Sequence, residues 1–188
     1  MNVAANLIAF GIVVLGAAAQ PAGIRISDDD ARSALVVHFA RYTEWPAARL
    51  DGPDTPLRIG VFDAPHIASL LKVLVDGVRI HGTTTSEGRP LEVIPLQSLS
   101  AAQECHVLYF GHTEADTREL LTGLQGKGVL TVGEGREFVD AGGILGFELV
   151  DKRMAFHFNA QAMDRAGIRV GPGVIGLAIK AGRKGALP

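Results

Sequence analysis

Four short apolar runs, separated by segments of helical character, constrain this chain more than any other feature of it. Leu57–Phe62 (LRIGVF), Leu91–Leu96, Cys105–Phe110 (CHVLYF) and Val129–Val132 are flanked by turn residues or polar stretches. Runs of four to six apolar residues are too short for an independent helix and read as strands. His66–Asp76 and Thr113–Leu124 lie between them and read as helices, with Asp63 standing where a cap belongs. Strands that alternate with helices predict an α/β fold built on a mostly parallel sheet covered on both faces. Further along, Ile144–Val150 and Arg153–Asn159 predict a C-terminal antiparallel hairpin around Asp151 and Lys152. Glu137–Ala141, Ala160–Ala166 and Val174–Ala181 read as the remaining helices.

Before the first strand, Ser27 followed by Asp28, Asp29 and Asp30 marks a helix start. The serine hydroxyl can cap it, and the acids complement the positive end of the helix dipole. Ala34, Leu35, His38, Tyr42 and Trp45 then recur at helical spacing. Pro46 disfavours helical geometry at the residue before it, so this helix is expected to stop near Trp45. A Pro-rich loop over residues 47–56 and a polar loop over Thr83–Gly88 complete the pattern.

Residues 1–19 carry no charged side chain and have an apolar centre, Leu7–Leu15. Ala17-Ala18-Ala19 precedes Gln20-Pro21, which matches a short h-region with an A-x-A cleavage site. The expectation is a cleaved secretory signal over 1–19, a single domain over 20–181 and a flexible tail over 182–188. A protein so exported would work outside the cytoplasm.

The chain has 188 residues, the size of one domain. With 47% hydrophobic residues it can bury a core, which argues against disorder. Lys and Arg number 18 against 20 Asp and Glu, so the basic excess of a phosphate-gripping nucleic-acid binder is absent. One cysteine excludes an intramolecular disulfide framework and a Cys-rich metal site. The six histidines show no H-x-H or H-E-x-x-H spacing, so no metal is expected, and structural or solvent roles suit them. Gly171, Gly173 and Gly176 match G-x-G-x-x-G, but too little chain follows for a dinucleotide-binding unit. There is no P-loop, G-x-S-x-G elbow or S-x-x-K, and nothing here recommends an enzyme or a cofactor.

Four residues stand out as candidates for a site. Tyr42 and Trp45 place aromatics at a helix end beside the Pro-rich loop, a pattern that suits a partner-binding surface as well as a core anchor. Arg89 stands between Gly88 and Pro90 at a strand entrance, where its guanidinium can meet a carboxylate or phosphate, or form a structural salt bridge. Cys105 reads either as a reactive or intermolecularly paired thiol or as a small buried hydrophobe. A crevice at the carboxyl ends of the strands is a further place for a small molecule.

Taken together, several segments resemble the YfiR family of bacterial periplasmic proteins. Phe39-Ala40-Arg41-Tyr42-Thr43-Glu44-Trp45-Pro46 is similar to that family's F-x-K/R-Y/F-x-E-W-P. The likeness continues through Leu57–Val61, Gly88–Val93, Cys105–Tyr109 and Val129–Val132. It ends with Phe138, Gly142-Gly143-Ile144, Phe156–Asn159 and Leu177-Ala178, covering roughly residues 30–181. The resemblance implies a three-layer αβα sandwich, a homodimer, and a regulator rather than a catalyst. It also implies binding to the periplasmic part of an inner-membrane diguanylate cyclase, which keeps cyclic di-GMP and biofilm formation low, and sequestration by an outer-membrane lipoprotein. Other members resemble accessory or sensing proteins beside TonB-dependent receptors or membrane sensor kinases. Two departures stand out. Thr83–Gly88 reads as a small insertion, and Cys105 lacks the further cysteines with which relatives form disulfides, which argues against redox control through an internal bridge.

Overall fold

The computed structural model describes residues 27–52, 54–80, 88–112, 117–171 and 175. The expected signal segment, the 83–87 loop, the start of the helix expected at Thr113 and nearly all of the C-terminal helix lie outside the described residues. Among the described residues, no helix is long and apolar enough to cross a membrane.

Helix α1 (Asp28–Arg41) opens on a reciprocal capping box. The Ser27 hydroxyl accepts from the Asp30 amide at 3.1 Å, and the Asp30 carboxylate accepts from the Ser27 amide at 3.0 Å. That geometry satisfies two of the donors a helix start leaves open. The helix ends at Arg41, earlier than the expected stop near Trp45. The buried Thr43 hydroxyl donates to the Phe39 carbonyl at 2.7 Å, and the chain becomes a two-residue strand, β1 (Thr43–Glu44). The buried face differs as well. Ser33, Val36, Val37, Phe39 and Ala40 point inward, while Ala34 and Tyr42 are exposed. The stripe read from spacing is therefore not the stripe that packs.

β2 (Leu57–Phe62) leads into α2 (Pro65–Val75), whose preceding residue is Ala64. Asp63 does not cap it. Asp63 turns the chain at φ +51°, and Pro65 starts the helix with its φ preset. The short β3 (Arg79–Ile80) and β4 (Arg89–Leu96) pair antiparallel. A 3-10 turn over Leu99–Glu104 precedes β5 (Val107–Phe110). Then follow α3 (Thr117–Gly123), β6 (Leu130–Glu134), α4 (Gly135–Asp140), β7 (Leu145–Val150) and β8 (Arg153–Phe158). α5 (Ala160–Ala166) and β9 (Arg169–Val170) follow, and β9 pairs with β1.

Seven described strands form one sheet in the order β3-β4-β2-β5-β6-β7-β8. The links β4/β2, β2/β5, β5/β6 and β6/β7 are parallel, and only the outermost links are antiparallel. At the far edge the chain reverses through Asp151 and Lys152, both at positive φ. The protein is thus a mixed α/β fold on a mostly parallel sheet.

Alternation along the buried strands separates two cores. Val107, Tyr109, Leu130 and Val132 join α1, α2 and α5 in one apolar cluster. Leu108 and Phe110 turn the other way, toward Leu121, Leu124 and Phe138. Both faces of the central strands are therefore covered, which is why these strands read as continuous apolar runs.

Candidate functional site

The order of the five parallel strands creates a switch point. From β2 the chain crosses to β4 on one side and then returns to β5 on the other. Connections leave in opposite directions there, so a crevice opens beyond the carboxyl ends of β2 and β5, where open α/β sheets bind ligands. A cavity of about 550 Å³ occupies that position, with Asp63, Gly111, His112 and Glu134 lining it at strand ends. Gly111 lets the two ends close, because a Cβ there would collide with the Asp63 carbonyl.

The rear wall is a linked set of polar groups. Arg32, from α1, places Nε 3.0 and 3.1 Å from the two carboxylate oxygens of Glu134. Its Nη1 lies 3.4 Å from Asp29. The buried Tyr109 hydroxyl donates to the same Glu134 carboxylate. Burial first, then the hydrogen bond and charge of Glu134, raise the Tyr109 phenol well above its ordinary value, so it stays a donor. For Arg32, burial works against the charge, but Glu134 outweighs it and the net shift is upward. Asp63 and Glu137 line the front of the crevice with no side-chain hydrogen bond or ion pair among the described residues, beside the half-exposed or exposed Ala64, Pro65 and His66. The arrangement offers hydrogen-bonding groups over an apolar floor. Glu134 accepts from two donors, Arg32 and Tyr109. Among the described residues no cluster of three His, Cys, Asp or Glu could hold a metal ion.

Sequence reasoning singled out the crevice but none of Arg32, Tyr109 or Glu134. Arg32 and Glu134 are 102 positions apart. The one local signal is a glutamate that closes an otherwise apolar strand.

The four residues chosen from sequence lie elsewhere, and the fold does not gather them into one constellation. Trp45 is half-buried at the amino end of β5, where its Nε1 donates to the His106 carbonyl at 3.3 Å. Its ring meets the His106 imidazole edge-on at 5.8 Å. His106 Nδ1 accepts from the Arg58 amide at 3.1 Å, and Nε2 lies 2.9 Å from the Arg49 carbonyl. That pairing needs the neutral imidazole protonated on Nε2. Burial lowers the pKa of His106, and the Arg49, Arg58 and Arg89 charges push in the same direction. Tyr42 is 46% exposed and stacks obliquely on His38 at 4.7 Å.

Arg89 is only 8% exposed. Its Nη1 donates to the Thr55 carbonyl at 3.2 Å, and no carboxylate lies within ion-pair reach among the described residues. It is therefore held by main chain and not by a structural salt bridge among those residues. Cys105 is fully buried in the second core against Gly60, where a Cβ would come within 2.7 Å of its sulfur. Burial pushes its thiol up to about 11, which disfavours the reactive thiolate at neutral pH. His157 is buried on β8, with Nε2 2.5 Å from the Glu148 carboxylate, a structural role.

A family model described as YfiR/HmsC-like matches residues 29–179. A search of curated proteins found no match.

Proposed function

The chain belongs to the YfiR/HmsC-like family, and from that premise we propose that it is a periplasmic regulatory binding protein. It binds the periplasmic part of an inner-membrane diguanylate cyclase and holds the enzyme inactive, which lowers cyclic di-GMP and biofilm formation. The observation that carries this reading is the family match, which takes in every element from α1 to β9. In this reading residues 1–19 are a cleaved export signal and 20–181 one domain. The two cores on opposite faces of the sheet support a three-layer αβα sandwich closed by a C-terminal hairpin. The protein acts by binding, as a homodimer, and an outer-membrane lipoprotein can draw it away from the cyclase.

The amino end of the sheet is the partner surface in this reading. Tyr42 is exposed three residues before half-buried Trp45, and Arg89, beneath the following loop, makes one side-chain hydrogen bond among the described residues, to the Thr55 carbonyl. An acidic group on a partner would satisfy that guanidinium.

The test is cyclase activity in membranes with and without the purified protein. Inhibition is expected, and Trp45→Ala should weaken binding by about 2 kcal/mol or more, the size of an interface hot spot. Tyr42→Ala, at an exposed position, should weaken binding while leaving the fold unchanged. An unchanged cyclase rate at saturating protein overturns the reading. If Trp45→Ala unfolds while Tyr42→Ala binds normally, the proposed surface is wrong and Trp45 is a core anchor.

The crevice favours a second reading, an accessory protein that senses a small molecule for a TonB-dependent receptor or a membrane sensor kinase. Saturable thermal stabilisation by a periplasmic metabolite, lost in a crevice variant, would support it.

A further inference from the structure

We propose that the cleft between α3, the end of α4 and the start of α5 binds a small dianion, of the phosphate-ester or dicarboxylate class. It lies apart from both the crevice and the Trp45 region. Its volume is about 590 Å³, within the range of small-molecule sites. A recess of about 20 Å³ that shares Gln125, Gly142 and Arg165 with it continues inward to Thr131 and Ile144.

The argument rests on which polar groups in the lining are already used. Asn159 is spent on both sides, since Oδ1 accepts from the Ala162 amide at 2.9 Å and Nδ2 donates to the Val139 carbonyl at 3.2 Å. Thr122 donates to the Arg118 carbonyl at 2.8 Å. Asp140 is the one carboxylate in the lining, and it faces Arg136, outside the lining, at 3.4 Å. Arg118, by contrast, has among the described residues only a contact to the Asp140 main-chain carbonyl at 3.5 Å, the outer limit of a hydrogen bond. Arg165, Gln125 and Gln161 make no side-chain hydrogen bond or ion pair among the described residues. Among the described residues, one guanidinium with a single limiting contact, a second with none, and two primary amides without partners therefore line one cavity, the guanidiniums carried by different helices.

This excess of donors selects an anion. Each guanidinium presents a planar fork of N–H groups that matches a carboxylate or phosphate. Charge-assisted hydrogen bonds of this kind are stronger than neutral ones. Two such cations on separate elements fit two negative charges better than one, and the glutamine amides can complete the oxygens' hydrogen bonds. A cationic ligand would meet two guanidiniums and one carboxylate, that of Asp140, which already faces Arg136.

Isothermal titration of the purified protein at constant ionic strength tests the proposal, with inorganic phosphate and succinate in separate arms and sodium chloride as the control. Saturable binding is expected in at least one arm, and which arm responds distinguishes the two ligand classes. Arg165→Gln should weaken it by roughly tenfold or more, in line with the loss of a charge-assisted hydrogen bond. Gln161→Ala should weaken it by less. Both side chains are solvent-exposed, so the circular dichroism should not change. No saturable heat with either anion into the millimolar range overturns the proposal. Equal affinity in the folded Arg118→Gln/Arg165→Gln double variant overturns it as well.

Discussion

His106 shows how one side chain can tie a loop to a sheet and make stability depend on pH. Its imidazole joins the Arg58 amide, the Arg49 carbonyl and the Trp45 ring, and it does so only when neutral. The folded state holds its pKa below the ordinary value of 6.5, chiefly through burial. Below that value the unfolded chain binds a proton that the folded chain refuses, so stability falls as pH drops. Above it both states are neutral and the contribution is complete. Urea unfolding between pH 7.5 and 5 should therefore show a midpoint that declines below about pH 6.5, and His106→Gln should flatten that part of the decline. A decline of the same size in both proteins would exclude His106 as its source. The sequence marked His106 only as one histidine with no metal spacing. Its partners come from the Trp45–Arg49 segment and the start of β2, at least 48 positions away, and spacing along a chain carries no record of such meetings. Cys105 was more legible, because a small apolar side chain beside a buried strand has few other places to go.

At the scale of elements, ends were easier to read than faces. The Ser27–Asp30 cap is a local device, written within four residues, and the structure closes it as a capping box. Ser27→Ala should cost about 1 kcal/mol, read as a lower urea midpoint at unchanged m-value. A change under a few tenths would mean that tertiary contacts alone hold the start of α1. Ala160–Ala166 was legible for a similar reason, since Asn159 caps it and Gly167 ends it in the left-handed region. The buried face of α1 was not. Leu35, Val36, Val37, Phe39 and Tyr42 surround much of the helix, so several apolar stripes satisfy helical spacing. Which stripe turns inward depends on the strands beneath it, and Phe39 is chosen because it packs edge-on against Phe156 at 4.9 Å. The two-residue strands β1, β3 and β9 escaped notice because a hydrogen-bonding neighbour, and not composition, makes a segment that short a strand.

For the whole molecule, the decisive link is the one between the first helix and the middle of the sheet. Arg32 and Glu134 are both less than one-third exposed and share their bond with buried Tyr109. Glu134→Ala would leave the Tyr109 phenol without its acceptor and Arg32 with Asp29 alone among the described residues, and should cost about 1–3 kcal/mol. Arg136→Ala removes a pair of which both members are mostly exposed, and its effect should stay below about 1 kcal/mol. Equal costs for the two variants would mean that the Arg32 link contributes no more than a surface ion pair. The same long-range closure builds the rear wall of the crevice. By itself the sequence determined the α/β class, the places of the principal strands, the family and the start of α1. Each of these follows from patterns a few residues long, or from their order along the chain. Only the tertiary structure decided which face of α1 is buried, that Arg89 rests on a main-chain carbonyl, and that Arg32, Tyr109 and Glu134 meet. Those outcomes depend on strand order, which brings together side chains as much as 102 positions apart whose attraction leaves no local pattern.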